Sequence, residues 1–189
     1  MLSSALQFLL NAIFGILAGA FLCRFWMQFF RASFQNPFAK MLMTLTDFAV
    51  KPMRKWLPAF KKIDLSTLFL GYLTVLILQI LLQLLQNHLQ LSTAHGVLLS
   101  LLAVLGVIKI SLDIFFYAIL ASVILSWVAP HSPIAPMLNQ FTAPLLKPIR
   151  HFVPVVNGID FAPLVFILLL QMVNITIISA LEKRLETVF

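Results

Sequence analysis

Charge is scarce in this chain. Only 10% of its 189 residues are Asp, Glu, Lys or Arg, while 61% are hydrophobic, and a soluble domain carries charge on about a quarter of its residues. The mean hydropathy of +1.03 lies on the same side, so the composition is that of an integral membrane protein. Cysteine is nearly absent. The single Cys23 excludes an intramolecular disulfide and any multi-cysteine metal or redox site, and it reads as a small buried hydrophobe. The four histidines, His88, His95, His131 and His151, form no HExxH or comparable spacing, and no Ser-His-Asp or paired-carboxylate set is defensible. No cofactor is expected, and intrinsic catalysis is not expected. The net charge of +7 is no nucleic-acid signature here, because in a membrane protein what counts is where the basic residues lie relative to the apolar spans.

What is present in quantity is long apolar sequence. A crossing of about 30 Å needs about 20 residues at about 1.5 Å each, and spans are expected near 6–30, 65–85, 108–128 and 161–181. The first carries no Lys or Arg ahead of it and exceeds the usual h-region of about 7–15 residues, so it reads as a retained span rather than a signal peptide. The run from Val97 to Val128 is too long for one upright helix, which favours residues 97–106 as an interfacial or partly inserted approach to a span near 108–128.

An internal repeat dominates the organisation. Asp64 and Asp160 are 96 residues apart, and at that one ungapped offset Pro37 meets Pro133, Met41-Leu42 meets Met137-Leu138, and Thr46 meets Thr142. The match sharpens where Lys51-Pro52, Arg54 and Pro58 fall on Lys147-Pro148, Arg150 and Pro154, followed by Ile63-Asp64 on Ile159-Asp160. Residues 1–90 and 91–189 therefore read as two copies of one unit, each a span, a basic proline-rich loop and a span. The expected fold is all-α, four transmembrane helices forming two parallel hairpin repeats, with short amphipathic or proline-rich segments in the loops.

The loops carry Arg31, Lys40, Lys51, Arg54, Lys55, Lys61, Lys62, Lys147 and Arg150, and the connection from Gln86 to Gly96 carries no Lys or Arg. That asymmetry puts both loops in the cytoplasm and both termini outside, where anionic head groups attract the basic residues at about 1 kcal/mol each. Prolines break the loops into fixed segments. Residues 37–50 can form an amphipathic helix with Phe38, Met41, Leu42, Leu45 and Phe48 on its apolar side. Lys51, Pro52, Arg54, Pro58, Lys147, Pro148, Arg150 and Pro154 together form a candidate docking loop pair. Asp64 and Asp160 stand just ahead of apolar runs, where a carboxylate caps a starting helix; the alternative is that each pairs with the arginine of its own repeat or binds a cation.

Ionisable residues inside apolar runs are functional candidates by default. Arg24 is close enough to Arg31 to snorkel to the head groups, and Lys109 and Asp113, four apart on one helix face, can neutralise each other. Gln79, Gln83, Gln171 and Asn174 read as interhelical hydrogen-bonding contacts.

The segments SWVAPHSPI and TAPLLKPIRHFVPVVNGIDFAPL, with LCRFWMQFF, NPFAKML and KPMRKWLP in the first half, resemble the YggT family of bacterial and plastid membrane proteins, also called YlmG. The likeness covers nearly the whole chain in its two-copy form, although Lys61-Lys62 stands in for Asn157-Gly158 and Thr67 for Pro163. The resemblance implies a non-enzymatic accessory or regulatory role in the bacterial inner membrane, linked to ion homeostasis, osmotic-stress tolerance or envelope assembly. It carries over no catalytic residue. Expected partners are membrane lipids and a membrane protein or a second copy of the chain, and not nucleic acid; an oligomeric ion channel or transporter subunit is the rival expectation.

Overall fold

The computed structural model describes residues 2–58, 63–86, 93–153 and 160–188, and all regular structure among them is helical. In chain order these are α1 (Leu2–Phe29), α2 (Pro37–Met53), α3 (Leu65–Leu85), α4 (Thr93–Val128), α5 (Ala135–Phe152), α6 (Ala162–Val173), a π-helical turn (Asn174–Ile178) and α7 (Ser179–Val188). Among the described residues four helices are long and apolar enough to cross a membrane: Ser4–Phe29, Leu65–Leu85, Ala94–Val128 and Ala162–Leu185, the last running through α6, the π turn and α7.

The third span departs from expectation. Residues 97–106, expected to form an interfacial or partly inserted approach, continue the third span as one helix of 36 residues, about 54 Å long at 1.5 Å per residue. Packing explains the continuity. Leu98, Leu99 and Ala103 are buried, and Ala103 shares a core with Ala18 of α1 and Val75 of α3, so this stretch belongs to the bundle.

Small residues let the helices approach closely. A Cβ placed on Gly71 of α3 would lie 2.9 Å from Leu22 Cδ2, and one on Gly106 of α4 would lie 2.7 Å from Val75 Cγ1. The repeat shows its own compensation here, because Ala118 and Ile167 stand at the offset positions of Leu22 and Gly71: the large and small partners have changed places.

The loop region folds rather than straggles. After α1 the chain reverses at Arg31, whose φ of 57° is left-handed. Ala32 N–H donates to Met27 O at 2.8 Å and Arg31 N–H to Gln28 O at 3.1 Å, the paired bonds of a Schellman closure. Asn36 then caps α2, its Oδ1 accepting from Ala39 N–H at 2.8 Å, with Pro37 in the first turn. The expected amphipathic helix at 37–50 runs on through Pro52 to Met53.

Its counterpart α5 also contains Pro144 and Pro148 within the helix, so prolines do not chop this loop into segments as expected. Each costs one backbone bond and up to about 3 kcal/mol. One-sided burial of Met137, Leu138, Phe141, Thr142 and Leu146 opposes that cost, and Pro144 and Pro148 are themselves exposed, where water reaches the freed carbonyls.

The two loop helices converge. One buried cluster joins Met27 of α1, Leu42 of α2, Phe115 of α4 and Met137, Leu138 and Phe141 of α5, with Trp26 and Phe30 packed on it. Phe30 meets Phe141 edge-on at 5.4 Å, and Ser33 N–H donates to Gln140 Oε1 at 3.0 Å. Both loops therefore lie at the same end of the bundle.

Candidate functional site at the loop end of the bundle

Each copy closes its loop with an arginine-carboxylate pair. In the second, Arg150 Nε and Nη2 both reach Asp160 Oδ2 at 2.8 Å, and Asp160 Oδ1 accepts from Ala162 N–H at 3.0 Å. Asp160 precedes the N-cap residue Phe161, so it is not the expected cap, yet it holds the first helical N–H while it pairs with Arg150. In the first copy Asp64 occupies the N-cap position, but its side chain makes no capping bond, which corrects the expectation of a capping carboxylate. Oδ2 pairs with Arg54 Nη2, whose same nitrogen reaches Gln28 Oε1 at 3.4 Å. Asp64 is wholly buried, and guanidinium attraction outweighs capping there because the ion has no water to fall back on. Asp64 Oδ1 and Arg54 Nε are buried with no hydrogen-bond partner among the described residues. The local carbonyl work is done by Thr67 Oγ1, which donates to Asp64 O at 2.9 Å.

Arg24 does not snorkel. It is 5% exposed and is held by α2, where Nη1 lies 2.7 Å from both Thr46 Oγ1 and Asp47 Oδ1. A buried guanidinium needs such partners, since an unpaired one costs several kcal/mol. Asp47 also pairs with Lys51 one turn on, at 2.8 Å, and the Lys51 ammonium, then the Arg24 guanidinium, hold its carboxyl below the usual carboxylate range. Neither Thr46 nor Asp47 stood out as Arg24's partner in the sequence. The Asp47/Lys51 spacing of four was a visible signal, whereas contact across 22 or 23 residues leaves no periodicity. The second copy has Leu120, Thr142 and Ala143 at these positions and builds no such network.

The candidate docking residues therefore separate into two roles. Arg54 and Arg150 brace the loops through their ion pairs to Asp64 and Asp160, and Lys51, Lys55 and Lys147 are exposed. Beside them on the same end Trp56, Phe152 and Trp127 are 84%, 81% and 78% exposed. Pro52, Pro58 and Pro148 are exposed as well. Pro154, with Lys61, Lys62 and His88, lies outside the described residues.

Lys109 and Asp113 do not neutralise each other by direct contact. Lys109 Nζ instead pairs with Glu182 of α7 at 3.1 Å, and Asp113 Oδ1 accepts from Asn174 Nδ2 at 3.4 Å. The fourth span lies against this face of α4 and offers closer partners. Asn174 opens the π turn, where Ser179 Oγ donates to Asn174 O at 3.2 Å; π turns accompany functional sites in many helices. His95 bonds to Gln83 across α3 and α4. Among the described residues no three His, Cys, Asp or Glu side chains sit close enough to hold a metal ion.

The CCB3/YggT family profile matches the chain twice, over residues 3–85 and 101–181. The chain belongs to the CCB3/YggT family. It is 33% identical to the uncharacterized protein YggT of Escherichia coli K12 over 180 residues, covering 95% of this chain and 92% of that protein. An uncharacterized Pseudomonas aeruginosa protein is 34% identical over 184 residues, 95% of this chain and 91% of its own length. A third uncharacterized relative, from Vibrio alginolyticus, is 31% identical over 172 residues, 90% and 92% of the two chains. No solved structure matches significantly.

Proposed function

We propose that this CCB3/YggT protein is a non-enzymatic accessory or regulatory component of the bacterial inner membrane. Its loop end faces the cytoplasm, both termini lie outside, and that end docks a membrane-protein partner through which ion homeostasis, osmotic tolerance or envelope assembly is tuned. The observation that carries the reading is the division of cations at the loop end. Arg24, Arg54 and Arg150 are paired with the protein's own carboxylates, while Lys55 and Lys147 are exposed with no ion pair among the described residues, and Lys51 is exposed beside Asp47. Exposed lysines interleaved with Trp56 and Phe152 are the pattern of an interfacial surface, where aromatic rings sit at head-group level and cations meet anionic lipid or an acidic partner.

The test is a Lys51→Gln/Lys55→Gln/Lys147→Gln variant in a strain lacking the gene, compared with wild type at matched membrane levels under osmotic and potassium stress. The arginine pairs stay intact, and Arg31, Lys40, Lys61 and Lys62 still direct insertion. Loss of complementation with correct insertion is expected; full complementation would leave the lysines as topology signals alone.

The rival reading, an oligomeric channel or transporter subunit, draws on one observation, the Asp113–Asn174 contact at the π turn. An intramembrane carboxylate with a single hydrogen bond is a default candidate for an ion or proton path. Selective ion flux by purified protein in liposomes would put this reading first.

A further inference from the structure

The loop end of the second repeat contains a cavity that its own closure leaves open. It has a volume of about 500 Å³ between the last turns of α4, the length of α5 and the start of α6, and Ser122, Ser126, Asn139, Arg150 and Asp160 supply its polar wall. A neighbouring space of about 160 Å³ shares Ser122, Ser126 and Asn139. The larger volume falls in the range of roughly 300–1,000 Å³ typical of small-ligand sites. The repeat accounts for its presence: where the second copy has Ser122, Ser126 and Asn139, the first has Trp26, Phe30 and Met43. Trp26 and Phe30 stack on each other at 5.6 Å and pack into the central cluster. Three bulky apolar side chains have become three small polar ones on one wall.

The wall has unused donors and a definite charge balance. Ser122 Oγ donates to Asn139 Oδ1 at 3.3 Å, and the Asn139 amide nitrogen has no partner among the described residues. Arg150 engages Asp160 through Nε and Nη2, with Nη1 likewise without a partner among them. One guanidinium and one carboxylate make the wall neutral, with donors for an anion beside an acceptor for a cation. Trp127, 78% exposed, stands at the rim and offers a ring face to an ammonium group. The floor, with Ile119 and Val123 on α4, runs from there along the apolar length of the span.

We infer that this cavity seats the head group of one zwitterionic phospholipid of the phosphoethanolamine class. The phosphate faces Arg150 Nη1 and the Asn139 amide, the primary ammonium faces Asp160 and Trp127, and the chains continue down α4 into the bilayer. A singly anionic glycerol head group has no cation to offer Asp160, and a choline group has no N–H to donate to it. The inference rests on the four helices lying in a membrane and is independent of lysine docking.

The experiment is native mass spectrometry of the full-length protein released from detergent micelles containing equal amounts of short-chain phosphatidylethanolamine, phosphatidylglycerol and phosphatidylcholine. One ethanolamine lipid per chain is expected, favoured at least tenfold over either competitor. Ser126→Phe, which restores the bulk of the first copy, should abolish the adduct while the protein elutes and melts as wild type, and Lys40→Gln, exposed on α2, should leave the adduct unchanged. Trp127→Ala, at a position too exposed to disturb folding, should cut the preference over phosphatidylglycerol roughly threefold and decides the matter if Ser126→Phe fails to fold. Free O-phosphoethanolamine at the lipid's concentration should not compete. Equal adducts of all three lipids, an adduct that survives Ser126→Phe, a preference unmoved by Trp127→Ala, or full competition by the soluble head group would each overturn the inference.

Discussion

The first repeat buries a charged network at the loop end, and the second places its inter-span charged contacts toward the other. At the 96-residue offset Arg24, Gln28 and Asp47 correspond to Leu120, Ile124 and Ala143, while Lys109, Asp113 and Asn174 correspond to Ile13, Leu17 and Leu78. Among the ion pairs of the described residues, the arginine-aspartate closure, Arg54–Asp64 and Arg150–Asp160, is the one made in both. That contrast separates what the hairpin needs from what each copy has added. The closure belongs to the unit. The Arg24–Thr46–Asp47 network ties α1 to α2 in the first copy, and the contacts of Lys109 and Asp113 tie α4 to the fourth span in the second.

The contrast is most severely tested by giving the first copy the residue of the second at one position only. Asp47→Ala, copying Ala143, leaves Arg24 buried with a hydroxyl as its one remaining side-chain partner, and a buried charge stripped of its counter-ion costs about 3–5 kcal/mol. The double variant Arg24→Leu/Asp47→Ala, copying both positions, should recover most of that loss. Thermal melting in detergent checks it, and a double variant no better than the single one would show that the second copy's solution does not transfer.

A smaller effect is expected at the closure that the copies share. Asp64→Ala removes the carboxylate from a fully buried site and should cost about 2 kcal/mol, the worth of a charged hydrogen bond, tempered because Arg54 can turn to solvent. Asp160→Ala, at a carboxylate with 28% side-chain exposure, should cost about 1 kcal/mol. Paired melting curves give the order directly; equal losses would mean that burial does not distinguish the two closures.

Much of this architecture was legible in the sequence. Composition and run length identified the spans, and the offset of Asp64 to Asp160 identified the repeat, because both are properties of neighbouring or periodically placed residues. The unread parts are those set by distant contacts. Pro144 and Pro148 argue locally against a continuous helix at 135–152, yet burial of Leu138, Phe141 and Leu146 overrides them. The length of α4 depends on Ala103 meeting Ala18 and Val75. Arg24 looks like a snorkelling residue until α2 is folded against α1, and Lys109 finds Glu182 73 residues away rather than Asp113 one turn along.

Both loops meet at one end of the bundle, the end proposed to face the cytoplasm, and a cysteine pair at the Ser33–Gln140 contact tests that arrangement most directly. In a Cys23→Ala background, Ser33→Cys/Gln140→Cys should form an intramolecular disulfide under mild oxidation. When reduced, both thiols should react with an impermeant maleimide in inside-out vesicles and stay unlabelled in intact spheroplasts. Failure to cross-link at normal expression, or labelling of either cysteine from the outside, would contradict the account.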